Sequence, residues 1–446
     1  MPENPDKKIP GTLSIRDGGK IDLEVVGHFD GNFESAQDNT IGRIIGHIEK
    51  DEFVTLENCL YRTRNLSFGG ISKSELLVHK CLIGAAWDKD EEIKFDTVSF
   101  SVDYLDEWIG ITGIKIEDDW DNDTTTITYL PPKNISLPLD NGMRLEILFS
   151  YTLPGFPRVT EAKITQKAYF KLASSKPTDL KDFTKIAFKI TNLMCFAMDD
   201  VVSMETVIGK SSEIVRTIGT ATAQVPVKIY FQSSFFQEKK PKKSWHEMIF
   251  TFSCIEDKAA LIFNKWINSY DQIHQALDLY FTTKGGAQKF LDAKFLALAQ
   301  GLETYHRRTN NETLMSKDKY ESLVSKIIEG CPEENREWLS RRLSHGNEIS
   351  LSDRLTMIME PFKNHIGTSR DRKRLVRKIV DNRNYLTHFD KSLEENRATG
   401  RNLWILYSRM EAIFTLTFLK LIGFDEEKIE MTIQKTYSLE YKLKLR

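Results

Sequence analysis

The residue types that could do chemistry in this chain are concentrated near residue 380. The segment from Arg370 to His388 holds seven basic and two acidic residues, a local charge of +5 in a chain whose net charge is −2. Read as a helix, Arg383, Asn384 and His388 continue an apolar stripe. Asn384 and His388 lie one turn apart on one face, and Arg383 flanks them about 140° from His388. Three polar residues on the continuation of an apolar stripe, where core residues are expected, require a functional or a structural explanation.

One reason is phosphodiester chemistry. An imidazole can move a proton at neutral pH. A guanidinium beside it can bind a phosphate with two hydrogen bonds and stabilise the charge of a pentacoordinate phosphorus. An asparagine can orient either group, and RNA supplies a nucleophile in its 2′-OH. The alternative is structural: Arg383 pairs with a carboxylate inside a bundle and His388 ends the helix, since this spacing is by itself a weak signal.

The elements that must position these residues follow two different patterns. Up to about residue 235, short β-branched runs are bounded by turn residues, which predicts a β-rich, sandwich- or barrel-like domain with one helix at about 179–195. After about residue 245, apolar residues recur at helical spacing, which predicts an all-α bundle. The sequence therefore predicts an α+β protein of two domains, 1–240 and 245–446, with the basic segment 237–244 as the linker candidate.

Composition narrows the function further. The 446 residues are 40% hydrophobic and 28% charged, which is typical of globular proteins. The nearly balanced charge excludes a chain-wide basic coat, so any nucleic-acid site must be local. Five scattered cysteines without a CxxC pair predict neither disulfides nor a thiolate metal site and favour the cytoplasm. We expect no membrane segment, no metal and no cofactor, because the candidate phosphate-loop, zinc and calcium motifs are each incomplete.

Several segments resemble one family. Arg383-Asn-Tyr-Leu-Thr-His388 is similar to the R-x4–6-H signature of HEPN domains, and it precedes the last long helical stripe of the chain. The stretches 297–306, which contains Glu303, and 349–355 resemble the ApeA-like branch of HEPN domains. The segments that resemble the ApeA N-terminal β domain are 11–27, 42–48, 54–58, 82–84 and 100–108. The resemblance thus covers most of the chain.

The resemblance implies an anti-phage, abortive-infection protein. Its C-terminal half would be a HEPN-type endoribonuclease that needs no metal and leaves a 2′,3′-cyclic phosphate or 3′-phosphate and a 5′-OH. Two copies of the motif would meet across a homodimer interface to form one composite active site. The β domain would be the sensor or regulatory half, and the partners would be RNA and a phage-derived trigger.

Residue roles follow from the same resemblance. His388 would be the general base or acid, Arg383 would contact the scissile phosphate, and Asn384 would position one of them. Glu303 would either anchor Arg383 from a neighbouring helix or be an ordinary surface residue. A basic helix face would guide RNA through phosphate contacts or simply be solvated. Its residues are Arg372, Lys373, Arg374, Arg377 and Lys378.

Two other functions stay open at this point. In the first, the helical half is a non-catalytic dimerisation or RNA-binding scaffold, and the β domain carries ligand recognition. In the second, the β domain has an unrelated activity, such as carbohydrate or nucleotide binding.

Overall fold

A computed structural model describes residues 8–29, 39–48, 52–65, 70–156, 159–233, 243–286, 288–389 and 391–445. The chain divides into two compact units, 1–267 and 268–446. The first is rich in strands and the second is helical, which confirms the predicted fold class. Most of the predicted linker lies outside the described residues, so the predicted boundary between 240 and 245 stays a prediction.

The first unit contains fifteen strands among its described residues. They are β1 (Gly11–Arg16), β2 (Lys20–Val26), β3 (Thr40–Ile48), β4 (Glu52–Asn65), β5 (Lys73–Ile83), β6 (Lys94–Val102), β7 (Ile114–Asp119), β8 (Thr124–Tyr129), β9 (Ile135–Pro138), β10 (Arg144–Thr152), β11 (Thr165–Asp179), β12 (Met204–Lys210), β13 (Val215–Ile218), β14 (Ala221–Gln224) and β15 (Val227–Phe231). Two short hairpins, β7–β8 and β13–β14, stand apart from the main sheet.

The described strands of the main sheet pair antiparallel in the order β1-β2-β5-β15-β12-β6-β11-β10-β9, with β4 on β5 and β3 on β4. Alternate residues of β2 point into the core, as the period of two in its sequence predicts. The predicted strand from 159 begins later, at Thr165. Thr165 lies opposite Thr152, which is the last residue of β10. The residues before Thr165 alternate in sequence, but β10 does not extend far enough to pair with them.

Two helices complete the first unit, α1 (Leu105–Ile109) and α2 (Leu180–Ala197). The α2 helix matches the one predicted at 179–195 and packs against β6 and β11. Asp179 caps it, because its side chain accepts a hydrogen bond from the Lys181 N–H at 2.7 Å. Large aromatic side chains, among them Trp108 and Phe170, fill the space beside the sheet.

The remaining helices are α3 (Ala259–Lys284), α4 (Leu291–Thr309), α5 (Lys317–Glu329), α6 (Glu333–Leu343), α7 (Leu351–Met359), α8 (Lys363–Ile366), α9 (Ser369–His388), α10 (Gly400–Leu421), α11 (Glu426–Lys435) and α12 (Tyr437–Lys444). In the second unit, α4 packs on α10, and α4, α7 and α9 contact one another. Gly301 lets α4 approach α10 closely: a Cβ there would lie 2.9 Å from the ring of Phe414. This packing determines what surrounds α9.

Candidate active site at the end of a basic helix

The α9 helix begins and ends as its sequence predicts. Thr368 and Asp371 form a capping box, in which the Asp371 N–H donates to Thr368 Oγ1 at 3.2 Å and the Thr368 N–H donates to Asp371 Oδ2 at 3.1 Å. The apolar stripe is buried against the neighbouring helices. The helix ends at His388, because the next residue, Phe389, has a left-handed backbone with φ 51°. The predicted trio therefore occupies the last turns of a well-defined helix.

The Arg383 side chain has polar partners but is not fully buried. Its NH2 atom lies 3.6 Å from Glu303 Oε2 on α4, and its NH1 atom donates to Asn384 Oδ1 at 3.2 Å. The Arg383 side chain is still 35% exposed. His388 is exposed at the final residue of α9. The guanidinium of Arg383 and the imidazole of His388 both reach solvent, where a phosphate could contact them.

Glu303 connects α9 to a chain of charged side chains. One of its oxygens faces Arg383, and the other accepts from Arg307 Nε at 3.0 Å. Arg307 NH1 also donates to Glu348 Oε2 at 2.7 Å, and Glu348 Oε1 lies 2.9 Å from His345 Nδ1. The hydrogen bond from Arg307 holds the pKa of the Glu348 carboxyl below its ordinary value. Glu303 therefore has two cationic neighbours and is itself largely buried.

A buried pair lies between α4 and α7. Arg354 donates through Nε to the Ile349 carbonyl at 3.0 Å and through NH1 to His306 Nδ1 at 3.1 Å. Since Nδ1 accepts this bond, we assign the imidazole proton to Nε2. His306 Nε2 is buried without a hydrogen-bond partner among the described residues. Burial and the neighbouring Arg354 lower the pKa of His306.

Sequence reasoning gave no role to five residues of this neighbourhood, Arg307, Glu348, His345, Arg354 and His306. The spacing of Glu303 and Arg307, one helical turn, is a signal that could have found Arg307. No local spacing connects Glu348 to α4, or Arg354 to His306, because these contacts join residues more than 40 positions apart.

The predicted basic face is not uniform. Arg372 is half-buried, and its NH1 atom donates to the carbonyls of Lys363 at 3.2 Å and Gly367 at 2.6 Å. These bonds fasten the start of α9 to α8. Four members are exposed: Lys373, Arg374, Arg377 and Lys378. Of these, Arg377 lies 3.6 Å from the carboxylate of Asp381.

The chain that follows α9 is tied back to it. Asn382 Oδ1 accepts from the Ala398 N–H at 2.6 Å, and Arg397 NH1 donates to the Tyr385 hydroxyl at 2.7 Å. The Arg397 guanidinium also lies over the Tyr385 ring, 5.2 Å from its centroid. Arg397 and Ala398 are thereby held against the last two turns of α9.

The described residues offer neither a metal-binding cluster nor a membrane-spanning helix. They contain no cluster of three or more His, Cys, Asp or Glu side chains that could hold a metal ion. None of their helices is both long and apolar enough to cross a bilayer.

Comparison with known families identifies the class. Residues 1–266 match the ApeA N-terminal domain 1, and residues 296–428 match the Apea-like HEPN domain. The chain belongs to the ApeA family of HEPN-domain proteins, which confirms the resemblance seen in the sequence. It is thus an anti-phage defence protein of HEPN type, and HEPN domains are generally nuclease domains that bind RNA and act as dimers. Neither the curated proteins nor the solved structures give a match.

Proposed function

We propose that this chain is an endoribonuclease that infection activates and that cleaves RNA without a metal ion. The observation that carries the proposal is the end of α9. There an exposed imidazole, His388, follows a partly exposed guanidinium, Arg383, which a carboxylate on α4 holds in place. A structural role for these two residues would not require either to reach solvent.

Each side chain of the site has its own role in the proposed reaction. His388 takes the proton of the RNA 2′-OH, whose oxygen attacks the adjacent phosphorus. The bond from phosphorus to the 5′-oxygen breaks, leaving a 2′,3′-cyclic phosphate and, after protonation, a 5′-OH. Arg383 donates hydrogen bonds to the non-bridging oxygens as charge builds on them. Glu303 and Asn384 fix the direction in which the guanidinium points.

The geometry of the displacement argues for a homodimer. The attacking and leaving oxygens of an in-line displacement lie on opposite sides of the phosphorus, so the base and the acid do as well. A single imidazole at a helix end does not reach both sides at once. A second copy of the motif, from a partner subunit, would supply the acid and complete a composite active site.

Exposed cations on α9 would bring RNA to this site. Lys373, Arg374 and Lys378 reach solvent and would neutralise phosphates. Arg377 does so less freely, because Asp381 lies beside it. Arg372 is committed to backbone carbonyls and, despite the sequence-based expectation, is the weakest candidate for RNA contact.

A cleavage assay in chelator tests the proposal. Purified wild-type chain is incubated with total RNA and EDTA, with and without extract from phage-infected cells. We expect cleavage that resists EDTA and leaves 2′,3′-cyclic ends, and its loss by at least about 100-fold in His388→Ala, since general acid–base catalysis contributes about 10²–10⁴-fold. His79→Ala, which removes an exposed imidazole of the β-rich unit, is the matched control.

Two outcomes would contradict it. Cleavage that survives in both His388→Ala and Arg383→Ala would place the chemistry elsewhere. If no condition yields cleavage while both variants still protect cells from phage, the helical unit is a scaffold.

A further inference from the structure

The first unit contains a cavity of about 780 Å³ where its main sheet forks. The ladder between β12 and β15 pairs Val207–Gly209 with Val227–Ile229. Yet β12 begins earlier, at Met204, and β15 continues to Phe231. The cavity lies between these diverging strand ends and is lined also by the turn before β2 and by the start of α1. Its volume is within the range of small-ligand sites, about 300–1,000 Å³.

Unusual backbone conformations shape the walls of the cavity. Thr206 and Tyr104 both have left-handed backbones, with φ 51° and 60°, although neither is a glycine. Thr206 lies where the register between β12 and β6 shifts. On the opposite wall, Gly19 has φ 75°, and a Cβ there would lie 2.0 Å from the Phe231 carbonyl oxygen. Gly19 permits its conformation without strain, whereas Thr206 and Tyr104 adopt theirs at a cost that the surrounding structure must offset, so the fork is a defined feature of the fold.

The charge of the lining favours a cation. Among the described residues, five carboxylates and two lysines line the cavity, a formal surplus of three negative charges. The carboxylates belong to Asp17, Asp103, Asp106, Glu107 and Glu205, and the lysines are Lys167 and Lys228. One lysine is already paired, since Lys167 Nζ lies 3.2 Å from Glu205 Oε2. An anionic ligand such as a phosphate would be repelled here.

Two of the carboxylates are held in fixed positions. Asp103 Oδ2 accepts from the Ser203 N–H at 2.6 Å, and Asp106 Oδ1 accepts from the Ala168 N–H at 2.7 Å. Partial burial of its carboxyl raises the pKa of Asp106, because it removes water from the charged form, and a bound cation would offset that loss. These groups need little reorganisation to receive a positively charged partner.

Aromatic rings supply the second part of a cation site. Tyr104, which precedes α1, and Tyr230 and Phe231 on β15 are among the residues that line the cavity, and Tyr230 also packs against the hydrophobic core beside β2 and β5. Aromatic faces attract ammonium and guanidinium groups, and together with carboxylates they form the usual lining of organic-cation sites. A hydrated metal ion, whose water shell would separate it from the rings, would gain little from them.

We propose that this cavity binds an organic cation, through a primary ammonium or guanidinium group that the carboxylates and aromatic rings receive together. The group has two possible sources, a free polyamine or a lysine or arginine side chain of a peptide. The proposal does not depend on ribonuclease activity, because binding to the cavity is measured directly.

Calorimetric titration of the full chain tests this site with two probes, spermidine and a blocked Arg-Lys-Arg peptide. We expect one of them to bind, and the one that binds identifies the source. Asp17→Asn and Glu107→Gln, which remove exposed carboxylates of the lining, should each weaken binding about tenfold, the effect of one charge-assisted hydrogen bond. Glu161→Gln, an exposed acid of the same unit outside the lining, should bind as the wild type does.

Any of three results would overturn the proposal. One is the absence of binding by both probes at millimolar concentration. Another is equal affinity in the lining variants and the wild type, or the same loss in Glu161→Gln. The third is tighter binding of an anion probe, inorganic phosphate, that the lining variants also alter. Circular dichroism of each variant shows that a loss of binding is not a loss of fold.

Discussion

At the scale of the residue, the central group is a carboxylate between two arginines. Glu303 is mostly buried and faces both Arg307 and Arg383, so it orients the guanidinium that we assign to the phosphate. Its exposed share is 18% for the side chain, which limits how far solvent screens these contacts. A group in this place acts through Arg383 and is a positioning residue.

Replacing Glu303 with glutamine should therefore slow cleavage more than it destabilises the fold. We expect the rate at saturating RNA to fall about 10- to 100-fold, because a displacement of about 1 Å can cost 10²-fold. The free energy of unfolding should change by no more than about 1 kcal/mol, because the side chains of both partners, Arg307 and Arg383, are at least one-third exposed and water can solvate them when the charge of Glu303 is removed. Glu321→Gln, which removes an exposed partner of Lys317 on α5, is the control. Unchanged cleavage in Glu303→Gln would show that Arg383 needs no anchor.

The stability of the fold should depend on pH through His306, and the surroundings of this residue determine the direction of the change. Its pKa is lowered in the folded chain, so the folded state resists protonation while the unfolded state accepts a proton near pH 6.5. Stability should consequently fall as the pH drops below about 6.5, by at most about 1.4 kcal/mol per pH unit for one proton.

Urea unfolding of the wild type and His306→Gln at pH 7.5 and 5.5 measures this contribution. The glutamine variant keeps an acceptor for Arg354 but cannot titrate, so it should lose less stability between the two pH values. His79→Gln controls for the loss of an exposed imidazole. The same pH dependence in wild type and His306→Gln would assign the effect to other groups.

At the scale of the element, α9 depends on its first turn as much as on its last. The capping box at Thr368 satisfies backbone N–H groups that the helix itself leaves free. Arg372 adds two hydrogen bonds, one to the Lys363 carbonyl in α8 and one to the carbonyl of Gly367, which follows α8. The position of the site at the end of α9 thus rests on contacts made about five turns earlier.

Removing the cap should destabilise this helix measurably. Thr368→Ala loses the hydroxyl that accepts from the Asp371 N–H and should cost about 1 kcal/mol in urea unfolding. The matched control is Thr356→Ala on α7, whose exposed hydroxyl bonds only within its own helix at 2.8 Å and whose loss should be nearly neutral. Equal effects of the two substitutions would show that the cap contributes nothing particular.

At the scale of the whole molecule, the chain carries almost no net charge but concentrates a basic face on α9. The ribonuclease that we propose would therefore bind RNA mainly through that face. Assembly of two copies would bring two such faces together and double the local charge.

A composite active site predicts that subunits interfere with one another. An excess of His388→Ala chain added to wild type should suppress cleavage, because mixed dimers have one imidazole where the reaction uses two. Dilution of wild type below the dimer dissociation constant should lower the cleavage rate per chain, and sedimentation velocity reports the dimer fraction. Suppression no greater than that produced by an unrelated protein, or a rate per chain that is independent of dilution, would contradict a shared site.

Local patterns in the sequence were sufficient for much of the second unit. The apolar stripes of α4, α9 and α10 repeat every three to four residues, and each helix lies where its stripe predicts. In the turn between β7 and β8, Asp119 accepts a hydrogen bond from the Asn122 side chain at 2.8 Å. These features depend on residues within a few positions of one another.

What the sequence by itself determined is the kind of element and the presence of the arginine, asparagine and histidine on one helix. Only the tertiary structure decided that Glu303, eighty positions earlier, lies beside Arg383, and that β12 and β15 separate to leave a cavity. The reason is physical: helical periodicity and capping are local, whereas strand pairing and ion pairs between helices depend on which distant surfaces pack together.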